Sequence, residues 1–397
     1  MNQQGKDKVN KMFRYYFDKA WQSYLIRGLL LLLIILGLLW KFRDVTLDVI
    51  IPAMIGFIIS KFIISAIQTW RGQREDQAKS ISCFKKINEI YKDEKPITIT
   101  INNTSTQIYI QDLMEGKKLE PVLEFKNEVF ELTPFIQENI KQLMDAHLMS
   151  HIMNGNTLRL CDVTLTNDQI IFKTCKTDYY KHLVTNRAVD YPITKHLTLR
   201  KIYEPGPKLK PFNESSFSNH IGLDMIVILS DGYTICPKRR NDATYSKNKI
   251  TSSVAMGYRI SEYSKVSFDD MKESLLKKAK QRLKLPDKIL NHIDQINFLG
   301  ASKSLYEGGK PQFHFILKLS DYTVQDYMKD VITLKIKKFE SDIDEDKRLY
   351  LISLKDISLL EDYKMSTYHY ENGKKHKKQF IPELSFYMSM YYYHRLK

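Results

Sequence analysis

Leu223–Arg240 reads LDMIVILSDGYTICPKRR, and the fold is decided here. Leu223–Leu229 is a continuous apolar run of strand length. Ser230-Asp231-Gly232 supplies turn chemistry, and Tyr233–Lys238 returns as the second strand of a hairpin. That strand ends in the cations Lys238, Arg239 and Arg240. Thr251–Met256 is another apolar strand. Ser267 then stands as an N-cap, with Asp269 and Asp270 in the first helical turn, where carboxylates meet the positive end of the helix dipole. Phe268, Met271, Leu275, Ala279 and Leu283 recur at helical spacing and mark the buried stripe. Phe298–Leu299, Phe313–Leu319, Ile332–Ile336 and Leu349–Leu354 are further strand candidates, and Pro382 opens a final aromatic helix.

Upstream, Pro96–Ile101 and Gln107–Gln111 alternate with period 2 around Asn102-Asn103, a hairpin signal. Thr133-Pro134 starts a helix that runs to about Met153 and stops at Asn154-Gly155. Leu158–Leu165 and Gln169–Thr174 form a second hairpin. Pro205-Gly206-Pro207 and Pro211 mark a boundary or a crossover.

Two long apolar runs lie nearer the N-terminus, Leu29–Trp40 (extended back through Tyr24) and Val49–Ile67. A bilayer core needs roughly 20 helical residues, so both are expected as transmembrane helices, at about 24–41 and 49–70. Trp21, Tyr24, Trp40 and Trp70 flank them as interfacial aromatics. Basic residues gather before the first run and after the second, which puts both termini on the cytoplasmic side. Lys61, inside the second run, either snorkels to the interface or lines a polar oligomer lumen. Gly56 and Ser60 make a small-x-x-x-small pair for helix packing.

The whole chain has 397 residues and a formal charge of +15, with 43% hydrophobic and 27% charged residues. Those figures exclude a disordered chain or a disulfide scaffold. A mean hydropathy of −0.36 excludes a polytopic transporter. Cys83, Cys161, Cys175 and Cys236 show no C-x-x-C spacing and read as reduced cytosolic thiols. The basic balance calls for an anionic partner: nucleotide, nucleic acid or lipid headgroup. Asp224, Asp231 and Asp242 do not form a metal cluster on spacing, and there is no Gly-rich phosphate loop.

The order of hairpin, strand, long helix and further strands resembles the Nudix fold from about Thr157 onward. TDYYKHLVTNRAVDY at Thr177–Tyr191 resembles the entry segment of larger Nudix-like proteins, and GGKPQFHFILKL at Gly308–Leu319 the strand after the box. The family's box pattern lays its glycine on Tyr263 and its first glutamate on Asp269. Its Arg-Glu pair falls on Lys277-Lys278, its Glu-Glu pair on Gln281-Arg282 and its last aliphatic on Leu285. Spacing survives and the carboxylates do not. A hard divalent cation needs oxygen ligands, so Lys278, Gln281 and Arg282 suit a phosphate instead. Two spans followed by such a domain resemble the transmembrane-Nudix effectors of bacterial CBASS anti-phage defence.

The expected fold class is therefore α+β. A two-helix N-terminal transmembrane hairpin (1–79) precedes an α+β extension (80–205) and a cytosolic Nudix-like mixed-sheet α/β/α domain (206–397). The resemblance implies a bacterial inner-membrane receptor-effector. It would bind a cyclic di- or trinucleotide made by a cGAS-like nucleotidyltransferase, oligomerise with copies of itself and disrupt the lipid bilayer. No catalytic residue, metal, cofactor or nucleic-acid polymer is expected. Arg239, Arg240, Lys278 and Arg282 would contact phosphates, and Tyr258 would stack a base. Gly56, Ser60 and Lys61 would serve the membrane or the oligomer. Two other readings stay open: a tethered Nudix-type hydrolase of nucleoside diphosphate derivatives, and a protein-binding scaffold.

Overall fold

Strand β7 (Gly222–Ile228) is buried along its whole length. It hydrogen-bonds antiparallel to β8 (Tyr233–Pro237) and β9 (Val254–Gly257) along one edge. Along the other it runs parallel to β11 (Lys310–Leu319), with Asp224 opposite His314. An apolar run without alternation is what a strand covered on both faces requires. The computed structural model describes residues 86–147, 154–194, 197–239, 249–260, 266–337, 349–361, 363–371 and 374–395.

Among the described residues six strands precede this centre, the first four being β1 (Ile97–Ile101), β2 (Thr104–Ile108), β3 (Ile110–Asp112) and β4 (Glu120–Val129). Asn102 and Asn103 adopt φ of 47° and 62°, so β1 and β2 close as a two-residue hairpin. The expected helix after Thr133 breaks into two short pieces, α1 (Pro134–Glu138) and α2 (Ile140–Met144). Strands β5 (Asn156–Leu165) and β6 (Gln169–Asp178) pair antiparallel, and β4 joins β6 in parallel. Helix α3 (Tyr179–His182) continues into a π-turn at Leu183–Arg187, and α4 (Leu199–Tyr203) follows.

Helix α5 (Phe268–Leu283) begins where Ser267 Oγ accepts the Asp270 amide at 3.2 Å and ends at Lys284 in the left-handed region. Met271, Leu275, Ala279 and Leu283 are buried, as their spacing predicts. Next come β10 (Ile293–Ser304), β11 and α6 (Val324–Lys337). The strand expected at Ile332–Ile336 is thus helical. A reciprocal cap starts α6: Thr323 donates to Asp326 from its amide and hydroxyl, and the Asp326 amide returns to Thr323 Oγ1. A capped helix start carries through a β-branched run whose own preference is weak. Strands β12 (Leu349–Ser353), β13 (Ser358–Leu360), β14 (Lys364–Glu371) and β15 (Lys374–Phe380) lead to α7 (Leu384–Arg395). The main sheet runs β13-β14-β12-β8-β7-β11-β10-β3, with β9 on β7 and β15 on β14.

Two sequence expectations are corrected. The α+β class with a helical membrane hairpin gives way to a mixed α/β architecture that is mostly sheet, with few helices. The two-span inner-membrane reading is withdrawn with it: no helix among the described residues is long and apolar enough to cross a membrane. The longest, α5, has 16 residues and carries charges on every turn, short of the roughly 20 apolar residues a span needs. The two apolar runs, with Gly56, Ser60 and Lys61, lie outside the described residues. The segments on either side of Pro205, where a boundary or crossover is expected, are joined in the structure. Strand β3 belongs to the main sheet through β10, and β5 bridges to the β7 neighbourhood at Arg159–His220 and Thr157–Arg259. Leu158 and Leu160 share one apolar core with Leu223 and Phe313. The described residues accordingly form one compact unit.

Arg200 ties distant segments of that unit together. Its Nε and Nη2 donate to Asp190 at 2.7 and 2.8 Å. Nη1 donates to Tyr91 Oη and the Leu305 carbonyl, and Nη2 to the Tyr306 carbonyl. All five guanidinium donors are used on a side chain that is almost fully buried. Replacing it strands Asp190 and two carbonyls. Arg200→Met is expected to lower unfolding free energy by about 3–5 kcal/mol, measured by urea denaturation; a loss below about 1 kcal/mol would show that water replaces the network.

Candidate functional site

A cleft of about 420 Å³ opens where β5, β7, β9, β11 and the start of α7 converge. The parallel register sets its floor, because Gly222 faces Gln312 and Asp224 lies two residues further along the same strand. Two glycines leave room. A side chain at Gly222 would meet Gln312 Oε1 at 2.0 Å, and one at Gly257 would meet His220 at 2.5 Å.

Charge of both signs lines the cleft: Arg187, Arg239, Arg259 and Lys310 against Asp224, Glu307 and Glu383. Arg187 is ion-paired to Glu307, and Arg239 grips Glu383 through Nε and Nη2. Lys310 is buried and donates to Gln312 Oε1 at 2.5 Å; burial lowers its pKa, while Glu307 opposes the fall. Arg259 differs from these three. It is exposed at the rim and has no ion-pair partner among the described residues.

Two imidazoles stack at the wall, His182 and His220, with centroids 4.8 Å apart. Both are buried, and desolvation holds both well below the ordinary histidine value. His220 Nδ1 lies 2.5 Å from Thr157 Oγ1, and Arg187 Nε donates to His182 Nε2 at 3.2 Å. An accepting Nε2 means that His182 is neutral, in agreement with its burial. Tyr179 packs edge-on to His220 at 6.0 Å and gives the cleft an aromatic surface.

Asp224 is the group with least compensation. Its carboxylate is fully buried, and neither oxygen has a hydrogen-bond partner of normal geometry. Burial, reinforced by Glu383, pushes its pKa up to about 7, although Ser385, Lys310 and Arg239 pull the other way. Among the described residues no group of His, Cys, Asp and Glu is arranged to hold a metal ion.

The residues expected from sequence are not all brought together. Arg239 lines the cleft and Arg240 lies outside the described residues. Tyr258 is buried in the core between the lining residues Gly257 and Arg259, so its ring is not available to a base. Lys278 lies on the outer side of α5 and donates to Gln281 Oε1 at 3.3 Å. Arg282 Nη1 donates to the Ala255 carbonyl at 3.4 Å, tying α5 to β9 from outside the cleft lining. Sequence reasoning missed His182, Arg187, His220, Asp224, Arg259, Lys310 and Glu383 as a set. One signal was legible: Asp224 is a charged residue inside an otherwise apolar strand. No protein-family model and no curated protein matches this chain.

The Asp224 carboxyl titrates higher in the fold than its ordinary value of 3.8. The fold therefore binds that proton more tightly than the unfolded chain does. The contribution to stability is full at low pH and is lost as pH rises from about 4 through about 7, at up to about 1.4 kcal/mol per pH unit. Asn mimics the protonated form. Asp224→Asn is expected to be more stable than the native chain at pH 8.5 by a few kcal/mol, with the gap closing toward pH 4. Parallel urea titrations at the two pH values check this; equal stabilities at pH 8.5 would mean that the carboxylate is satisfied.

Proposed function

We propose that this cleft is the receptor site for a phosphate-bearing ligand of nucleotide size, and that the chain binds it without hydrolysing it. The observation that carries the reading is the convergence of Arg187, Arg239, Arg259 and Lys310 on one concave surface, against three carboxylates of which Asp224 is partly neutral near pH 7. Guanidinium groups pair with phosphate through two parallel hydrogen bonds, and Arg259 is the cation left unpaired to begin that contact. Tyr179 offers a ring against which a base can stack. The cleft volume falls within the roughly 300–1,000 Å³ range of small-molecule sites.

The resemblance to CBASS effectors supports a cyclic di- or trinucleotide as that ligand, with a cGAS-like nucleotidyltransferase as its source and self-association as the response. Binding without turnover is supported by the cleft lining itself, whose carboxylates Glu307 and Glu383 are ion-paired to Arg187 and Arg239 and so are engaged by cations within the protein.

Calorimetry with a panel of cyclic di- and trinucleotides tests both parts. One member is expected to bind, and Arg259→Glu is expected to weaken it at least about tenfold, given roughly 1.5–3 kcal/mol for a charge-assisted hydrogen bond. The bound nucleotide is expected back intact by chromatography after incubation with Mg²⁺ or Mn²⁺. Binding unaffected by Arg259→Glu would place the site elsewhere. Metal-dependent breakdown of the nucleotide, lost in Glu383→Gln, would make the chain a hydrolase.

A further inference from the structure

Strands β5 and β6 carry two thiols that the cleft does not use. Their register steps from Leu160 opposite Thr174 to Asp162 opposite Lys173, which leaves Cys161 as the extra residue of a β-bulge. Strand alternation sends Leu158 and Leu160 into the apolar core and leaves Arg159, Cys161 and Cys175 on the other face. The bulge then brings Cys161 beside Cys175, with the two Sγ atoms 2.8 Å apart. Cys161 is partly exposed and Cys175 is buried.

We infer that Cys161 and Cys175 are a redox-active dithiol, a modification site at which a peroxide closes a disulfide across the β5–β6 pair. This rests on the sulfur geometry and is independent of what the cleft binds.

The two sulfurs divide the chemistry. The hydrogen-bond contact with Cys175, helped by the nearby Arg159 guanidinium, brings the Cys161 thiol down to about 6 in spite of its partial burial. Arg159 is itself held in place: Nε donates to the Phe217 carbonyl at 3.2 Å and Nη2 to the Ser215 carbonyl at 2.8 Å, with the guanidinium 4.7 Å over the Phe130 ring. Cys161 is thus the more acidic and the more exposed thiol of the pair, and a thiolate is the nucleophilic form. Cys175 is shifted upward by the same contact and keeps its proton. Cys236 is the internal contrast, fully buried and pushed up to about 12 by desolvation.

The steps balance. Cys161 thiolate attacks one oxygen of the peroxide; an S–O bond forms, the O–O bond breaks, and the departing hydroxide takes a proton to become water. Cys175 sulfur then attacks the sulfenic sulfur of Cys161. An S–S bond forms, the S–O bond breaks, and the Cys175 proton leaves with the hydroxide as a second water. The dithiol loses two electrons and the peroxide gains them. The bridge would pin the bulge in β5, the strand whose first turn of residues includes the cleft-lining Thr157.

Peptide mapping of the full chain tests this. Reduced, desalted protein is treated with hydrogen peroxide, alkylated with N-ethylmaleimide and digested without reductant. A cross-linked peptide joining Cys161 to Cys175 is expected, about 2 Da lighter than its two thiol peptides together and abolished by dithiothreitol. Before oxidation, iodoacetamide at pH 7 is expected to label Cys161 at least about tenfold faster than Cys236. Cys161→Ser should prevent the cross-link, and Cys175→Ser should leave a Cys161 sulfenic acid that dimedone traps. Recovery of both cysteines alkylated, under peroxide that oxidises free cysteine in the same tube, overturns the assignment. Conversion of Cys161 to a sulfinic acid with no cross-link does so too. The native chain alone suffices for this decision if either variant fails to fold.

Discussion

The parallel pairing of β7 with β11 is the constraint on which the rest of the structure depends. Two parallel strands cannot be joined by a tight turn, so the chain must leave β7 and return to its other edge by a long path. That path contains β8, β9, α5 and β10, and each is positioned by what the central pair leaves open. β8 and β9 divide one edge of β7 between them, at Thr234 and at Val254–Gly257. Helix α5 covers a face with its apolar stripe, and Phe268 meets Phe313 of β11 in a near-parallel stack 5.9 Å apart.

The same pairing creates the electrostatic problem that the cleft expresses. β7 is buried on both faces, so Asp224, once placed there, has no route to water. An isolated buried carboxylate is costly, and proteins answer by pairing it or by neutralising it. Here the cations nearby are already engaged: Arg239 by Glu383, Arg187 by Glu307 and Lys310 by Gln312. Asp224 therefore moves toward its neutral form, and the two imidazoles beside the cleft lose their charge for the same reason of burial. A site whose internal charges are compensated in this way keeps its geometry in the absence of a ligand. Arg259 at the rim is the part that remains free to respond to one.

How much of this was legible can be seen residue by residue. Leu223–Leu229 and the stripe from Met271 to Leu283 were readable because burial on two faces or one writes a direct pattern into the chain. The Asn102-Asn103 hairpin was readable because that turn needs positive φ, which Asn tolerates. Ile332–Ile336 was misread because β-branched residues prefer strands, while the cap that settles the matter, Thr323 with Asp326, lies several residues upstream. The entry of β3 into the main sheet was not legible, because the prolines near Pro205 report local backbone and say nothing about long-range pairing. Of the site, Arg239 was legible from its place at a strand end. Lys310, Glu383 and His182 were not, because no spacing in sequence records that a π-turn, a strand start and a helix start will share one wall.

The degenerate box gives the clearest case of pattern outlasting chemistry. Its spacing predicted a cationic face on α5 looking into a pocket, and the helix formed where expected. Yet the spacing is a property of the apolar stripe, which fixes the buried face and leaves the polar positions to whatever lies beside it. Lys278 lies about five sixths of a turn past Leu275 and donates to Gln281. Arg282 donates to the Ala255 carbonyl of β9 and is not among the residues that line the cleft. The charge that lines the cleft comes instead from the strands and loops that the central parallel pair brings together. Four buried apolar residues at one spacing are sufficient reason for the helix to form here whatever its polar positions carry.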